Sequence, residues 1–172
     1  MLKEQIAASL ELVFSESGFA EPSVTQLKTA CNVSLRTLYK HYPSKEEMIV
    51  AALLHRHQRY LSFLSDNSPE PGLEAVIHIF TRLAQWMENY APNGCMSMNA
   101  LSAFPHNDTI NQAVKAHKDE VRHFLAAQSK RNDLANHLFL LHEGVSSAWS
   151  LLGNDTLISA QQAVIRLLSE DK

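Results

Sequence analysis

The sequence predicts an all-α protein, and three observations carry that prediction. Leu (23) and Ala (19) far outnumber Val (9) and Ile (7), so strong helix formers dominate over β-branched residues. Only 5 Gly and 6 Pro punctuate 172 residues. Apolar residues recur at helical spacing in segment after segment. A chain of this length buries roughly 70% of its unfolded surface, so its core needs no disulfide or metal staple.

The first helix carries Ile6, Leu10, Val13 and Phe14 on one stripe. Gly18 ends it, because glycine takes a positive φ without strain. Ser23-Val24-Thr25-Gln26 is a capping box opening a second, short helix that turns Leu27, Ala30 and Cys31 inward. Asn32 stops that helix, being a good non-glycine choice for positive φ. Ser34 caps a third helix through Leu38 to about His41, and Tyr42-Pro43 breaks it. Ser44-Lys45-Glu46-Glu47 opens a long fourth helix with Met48, Ala52, Leu53 and Tyr60 inward, running to about Leu64. Asp66 to Gly72 is the clearest linker.

Five more helices follow, at about 73–90, 95–104, 109–130, 134–152 and 156–169, giving nine. The eighth has two apolar faces. One carries Leu134, Leu138, Leu141, Val145, Trp149 and Leu152, the other Leu140, Gly144, Ala148 and Leu151. Two such faces imply two packing partners, one in the chain and one in a second subunit.

Charge narrows the function. From Val24 to Lys45 there are four bases (Lys28, Arg36, Lys40, Lys45) and no acid, which leaves −7 on the rest of a chain whose net charge is −3. A small basic island on an acidic body fits a DNA reader with a separate second function. The net charge argues against a protein that coats nucleic acid non-specifically. The longest apolar run, Met48 to Leu54, is far short of a membrane span, and the charged amphipathic N-terminus does not read as a signal peptide. Two cysteines, Cys31 and Cys95, fit a reducing, cytoplasmic compartment.

Two short helices joined by a tight turn at Asn32, the second rich in bases and hydroxyls, form a helix-turn-helix. Such a second helix can enter the major groove, with Arg36 offering a bidentate fork to guanine and Leu35 touching a thymine methyl. Thr37, Tyr39, Lys40 and His41 can reach phosphates, and Lys45 lies where the next helix's amides also attract them. The alternative is a helical pair with a solvated basic edge.

The run Ile6-Ala7, Val13-Phe14, Gly18-Phe19, Ser23-Val24, Leu27, Ala30, Val33-Ser34, Thr37-Leu38-Tyr39, His41-Tyr42 and Ser44-Lys45-Glu46 resembles the DNA-binding domain of the TetR family of bacterial transcriptional regulators. The resemblance covers residues 5–55. Asn32 replaces the usual turn glycine, and Lys28 stands where a small residue is common. It implies a helix-turn-helix domain over residues 1–46, then a helical effector-binding and dimerisation domain over 47–172. The function implied is a homodimeric regulator, usually a repressor, that binds a palindromic operator and is released by a small-molecule effector. Leu35 and Arg36 would face bases. Thr25, Thr37, Tyr39, His41 and Lys45 would hold the backbone, while Lys40 faces either groove or solvent.

The resemblance also implies an effector pocket after the linker. Candidate lining residues are Phe80, Trp86, Tyr90, Met96, Asn99, His117, Phe124, Leu138, His142 and Trp149, which would suit a hydrophobic or aromatic ligand. Each of these also reads as ordinary core. The dimer seam is expected at Gly144, Ser147, Ala148 and Leu151 on the eighth helix and Leu157, Ala160, Val164 and Leu168 on the ninth. No cofactor, metal or catalysis is expected. His55 and His57 fall on different helix faces, no Cys/His cluster has zinc spacing, and no nucleophile elbow or phosphate loop occurs. A second reading is a helical ligand- or protein-binding module that has lost sequence-specific DNA binding.

Overall fold

The computed structural model describes residues 1–169. Among them are nine α-helices and no strand: α1 (Leu2–Ser17), α2 (Val24–Ala30), α3 (Leu35–His41), α4 (Lys45–Ser65), α5 (Leu73–Tyr90), α6 (Met96–Ala103), α7 (Asp108–Ser129), α8 (Ala135–Leu152) and α9 (Asn154–Ser169). A 3-10 turn, Asn132–Leu134, leads into α8. No helix among the described residues is long and apolar enough to cross a membrane.

Local chemistry sets the boundaries. Ser23 accepts from the Gln26 amide while the Gln26 side chain accepts from the Ser23 amide, a complete capping box. Ser34 and Ser44 cap α3 and α4 by accepting from the amides of Thr37 and Glu47. Gly18 follows α1 with φ 73°, and its amide bonds Phe14 O at 3.0 Å.

The chain divides into two compact units. The first joins residues 1–59 to 95–117, and the second joins 60–94 to the chain from 118 onward. Helices α4 and α7 each run from one unit into the other. In the first unit Ile6, Leu10, Phe14, Leu27, Leu38, Met48, Ile49, Ala52 and Leu53 share one core with Met96, Ala100, Ile110 and Val114. In the second, Leu64, Val76, Ile79, Phe80, Leu83, Val121, Leu125, Leu138, Val145, Ala160 and Val164 form another.

Three expectations about helix faces are corrected. Ala30 is exposed, because it is the last residue of the short α2, beyond the turn that Leu27 anchors. On α9, Ala160 and Val164 are buried against their own chain, with Leu157 and Leu168 packed beside them. That stripe is α9's inward face, so Ala160 and Val164 are withdrawn from the expected dimer seam. The apolar side chains that α9 leaves exposed are Ile158 and Ile165. On α8 the two-faced reading matches the structure. Leu138 and Val145 are buried while Leu140, Gly144, Ser147 and Leu151 form an exposed stripe at i, i+4, i+7 and i+11, with Ala148 half-buried beside it. Leu152, expected inward, is exposed at the helix end.

Candidate nucleic-acid interface

The turn between α2 and α3 closes on its own backbone. Asn32 sits at φ 51°, its amide bonding Thr29 O at 3.0 Å, and the Val33 amide bonds Lys28 O at 3.1 Å. These two bonds across a left-handed residue form a Schellman helix end, with asparagine in the position glycine usually takes. Two residues after Asn32 the Ser34 hydroxyl holds the Thr37 amide at 3.0 Å and the Thr37 hydroxyl at 2.8 Å, so α3 starts in a fixed rotation.

Packing then decides what α3 displays. Leu38 is fully buried and anchors the helix, as Leu27 anchors α2. The opposite face carries Leu35, Arg36, Tyr39 and Lys40, all exposed. An exposed Leu and Tyr beside Arg and Lys is a surface of apolar, planar and cationic groups, the set that base edges and phosphates accept. Thr37 and His41 are half-buried at its margins, and Thr25 is exposed at the start of α2. Lys45 is half-buried, with Nζ 3.5 Å from Ala20 O. Lys28 is half-buried as well.

The far end of α3 is tied down by Tyr42, whose buried ring lies under the Lys3 ammonium and whose hydroxyl donates to Lys3 O at 2.9 Å. Its neighbour Cys31 donates from Sγ to Ile6 O at 3.8 Å, and burial pushes that thiol up to about 11. A thiol held protonated is a packing group here rather than a nucleophile.

Residues 6–52 match the family described as "Bacterial regulatory proteins, tetR family". Over that stretch the chain is similar to TetR-family regulators. Over 50 residues it is 40% identical to the HTH-type transcriptional regulator UidR of Escherichia coli strain K12. That match spans 29% of this chain and about a quarter (26%) of the relative's length. Solved TetR-family structures share the fold. A TetR-family transcriptional regulator from Streptomyces coelicolor, SCO4454, matches 98% of this chain and 90% of its own at 21% identity, TM-score 0.83. The reduced form of E. coli NemR matches over the whole of both chains at 17% identity, TM-score 0.80.

The ten expected pocket residues fall into both units. Met96, Asn99 and His117 belong to the first, where Met96 is core, Asn99 is exposed and His117 stacks on His57 at 4.3 Å. The other seven belong to the second. Phe80 and Leu138 are fully buried in its core, with Phe124 and Trp149 packed against it. Trp86 sits among Tyr60, Phe63 and the exposed Tyr90, with ring centroids 5.0 to 5.6 Å apart.

Sequence reading missed the polar partners of His142. Its Nε2 takes the Tyr60 hydroxyl, its Nδ1 lies 3.0 Å from Glu143, and Glu143 takes Lys118 Nζ at 2.7 Å. These contacts fit one tautomer: a neutral ring donating from Nδ1 to the carboxylate and accepting the phenol proton at Nε2. Burial pushes the His142 imidazole below its usual range, against the pull of Glu143 and with the help of Lys118. Burial alone would raise the Glu143 carboxyl, but His142 and Lys118 outweigh it and bring it down to about 2. Its spacing places Tyr60 inward, but spacing says nothing about where a hydroxyl points. Among the described residues no cluster of three or more His, Cys, Asp or Glu could hold a metal ion.

Proposed function

We propose that this chain is a homodimeric transcriptional regulator that reads a palindromic operator through α3 and is released from it, as a repressor, by a small-molecule effector. The observation that carries the DNA-reading half is the exposed face Leu35, Arg36, Tyr39 and Lys40, backed by buried Leu38 and fixed in rotation by the Ser34 cap. Arg36 and Leu35 face bases. Thr25, Thr37, Tyr39, His41 and Lys45 hold phosphates, with Lys40 free to join either set. Lys45 gives one of its three donors to Ala20 and keeps two for a phosphate.

The dimer forms through the exposed stripe of α8, Leu140, Gly144, Ser147 and Leu151, together with Ile158 and Ile165 of α9. Beside it an open groove of about 560 Å³ runs between α8 and α9, lined by His137, Leu140, Leu141, Gln162, Arg166 and Leu167 among others. An isologous pairing of such faces gives a two-fold axis and hence two half-sites. The effector, hydrophobic or aromatic, binds within the second unit around Trp86 and His142. What supports this is the set of aromatic rings around Trp86 beside the polar chain from Tyr60 through His142, apolar groups with a few orienting polar ones. It acts by binding more tightly to the conformation that fits DNA less well.

The experiment is selection of a random duplex library by the purified full-length protein in about 150 mM salt, where non-specific phosphate binding is weakened. A palindromic consensus is the expected result. No enrichment by a folded, dimeric protein would overturn the DNA-reading assignment.

A further inference from the structure

The first unit contains a buried charge cluster that no part of DNA reading uses. Glu11, on α1, is 1% exposed. Its Oε1 accepts from Arg56 Nη1 and Arg59 Nη2, each at 3.1 Å, and its Oε2 meets His55 Nδ1 at 2.6 Å. All three partners lie on α4, in the turn just before the chain leaves the first unit at Arg59. Arg56 is itself only 7% exposed, and Glu11 places a counter-charge against its guanidinium.

Elsewhere α1 and α4 share an apolar core, in which Ile6, Leu10 and Phe14 join Met48, Ile49, Ala52 and Leu53. Apolar packing is non-directional and tolerates small rotations, whereas a carboxylate gripped by three donors fixes both angle and register. The opposite end of α1 is also pinned by a polar bond, Tyr42 to Lys3 O, which holds the end of α3. Eight residues separate Lys3 from Glu11, about 12 Å along the helix axis. Helix α1 is therefore a strut with one end on the reading helix and the other on the last turn of α4 in this unit.

Building on the DNA-reading assignment above, we propose that Glu11 is a positioning residue that sets the angle of α3 on α4 and so the operator spacing the dimer accepts. It contacts no base. Its loss relaxes the discrimination between half-site spacings and leaves base preference intact.

The test uses the full-length protein and its own selected operator, resynthesised with the half-sites moved one or two base pairs closer or further apart. Glu11→Gln keeps the size and removes the charge. Because it removes the charge that faces buried Arg56, Arg59→Gln is run beside it; Arg59 is the most exposed of the three donors and its loss leaves Glu11 bound to Arg56 and His55. In wild type the native spacing is favoured. In Glu11→Gln that preference falls at least about fivefold, the low end of coupling between distant sites, and in Arg59→Gln it falls less. Base preference at the Arg36 position stays as in wild type in both.

Undiminished spacing preference in a folded Glu11→Gln protein would overturn the proposal while leaving the DNA-reading assignment standing. If Glu11→Gln does not fold, an unchanged preference in Arg59→Gln overturns it equally. Parallel loss of base and spacing preference would mark a merely structural role. Failure of wild type to select any operator would remove both readings.

Discussion

At the scale of single residues, most of the reading surface is governed by contacts that can be removed one at a time. Arg36 is exposed, with its neighbours on α3 fixed behind it, so Arg36→Ala should cost roughly 1–3 kcal/mol of operator affinity and relax specificity at one base pair per half-site. Titration against operators substituted at single positions checks this, and an unchanged base profile would take Arg36 out of the readout. Lys45→Ala should instead weaken every duplex alike and lower the salt slope by about 0.9 per half-site. A loss confined to one sequence would contradict its phosphate role. His142 makes a different kind of prediction. Its folded pKa lies below the ordinary 6.5 and Glu143 lies at about 2 against an ordinary 4.5. The unfolded chain therefore binds more protons in both windows. The His142 contribution is complete above about pH 6.5 and declines as pH falls through it, and the Glu143 contribution is lost from about 4.5 toward 2. Melting temperature should drop between about pH 7.5 and 5.5, and His142→Gln should flatten that segment of the profile. An equal slope in the variant would assign the loss to another group.

Elements were legible in the sequence to the extent that their determinants are local. Ser23, Asn32, Ser34 and Ser44 each act within four residues of themselves, so the starts and stops of α2, α3 and α4 could be read from spelling alone. Removing one such determinant has a local cost. Ser34→Ala should lower stability by about 1 kcal/mol and weaken DNA binding, because α3 loses its first amide partner. Calorimetry beside operator titration separates the two effects. Faces were harder to read. The eighth helix announced two apolar stripes, but on α9 the stripe Leu157, Ala160, Val164 and Leu168 looks the same whether it meets its own chain or another. Only packing distinguishes them. Glu11 was invisible for a related reason. A lone acid beside Leu10 reads as a solvated edge until three donors from residues 44 to 48 positions later surround it.

At the scale of the molecule, the first unit is assembled from two separate stretches, and no local signal marks residues 95–117 as partners of α1 to α4. Asn107 is part of that join. Its Oδ1 caps α7 at the Ile110 amide and its Nδ2 holds Glu46 at 2.9 Å, which with Thr109 keeps the Glu46 carboxyl below its usual range. The dimer prediction belongs at this scale too. Leu151 is 83% exposed in the single chain, so Leu151→Glu should leave the fold within about 0.5 kcal/mol of wild type and yet give a monomer in sedimentation. A dimer that survives that change would move the interface elsewhere.

One feature of the second unit bears on how the molecule can be watched. The chain has two tryptophans, Trp86 and Trp149, and both lie in that unit, Trp86 with Tyr60, Phe63 and Tyr90 around it. Tryptophan emission, excited where tyrosine barely absorbs, is therefore blind to the reading head and sensitive to the half assigned to the effector. Far-ultraviolet circular dichroism sums every helix. Recorded together through a denaturant titration, the two signals separate if the units open independently and coincide if they open as one. A ligand that settles against Trp86 would announce itself in emission with no added dye.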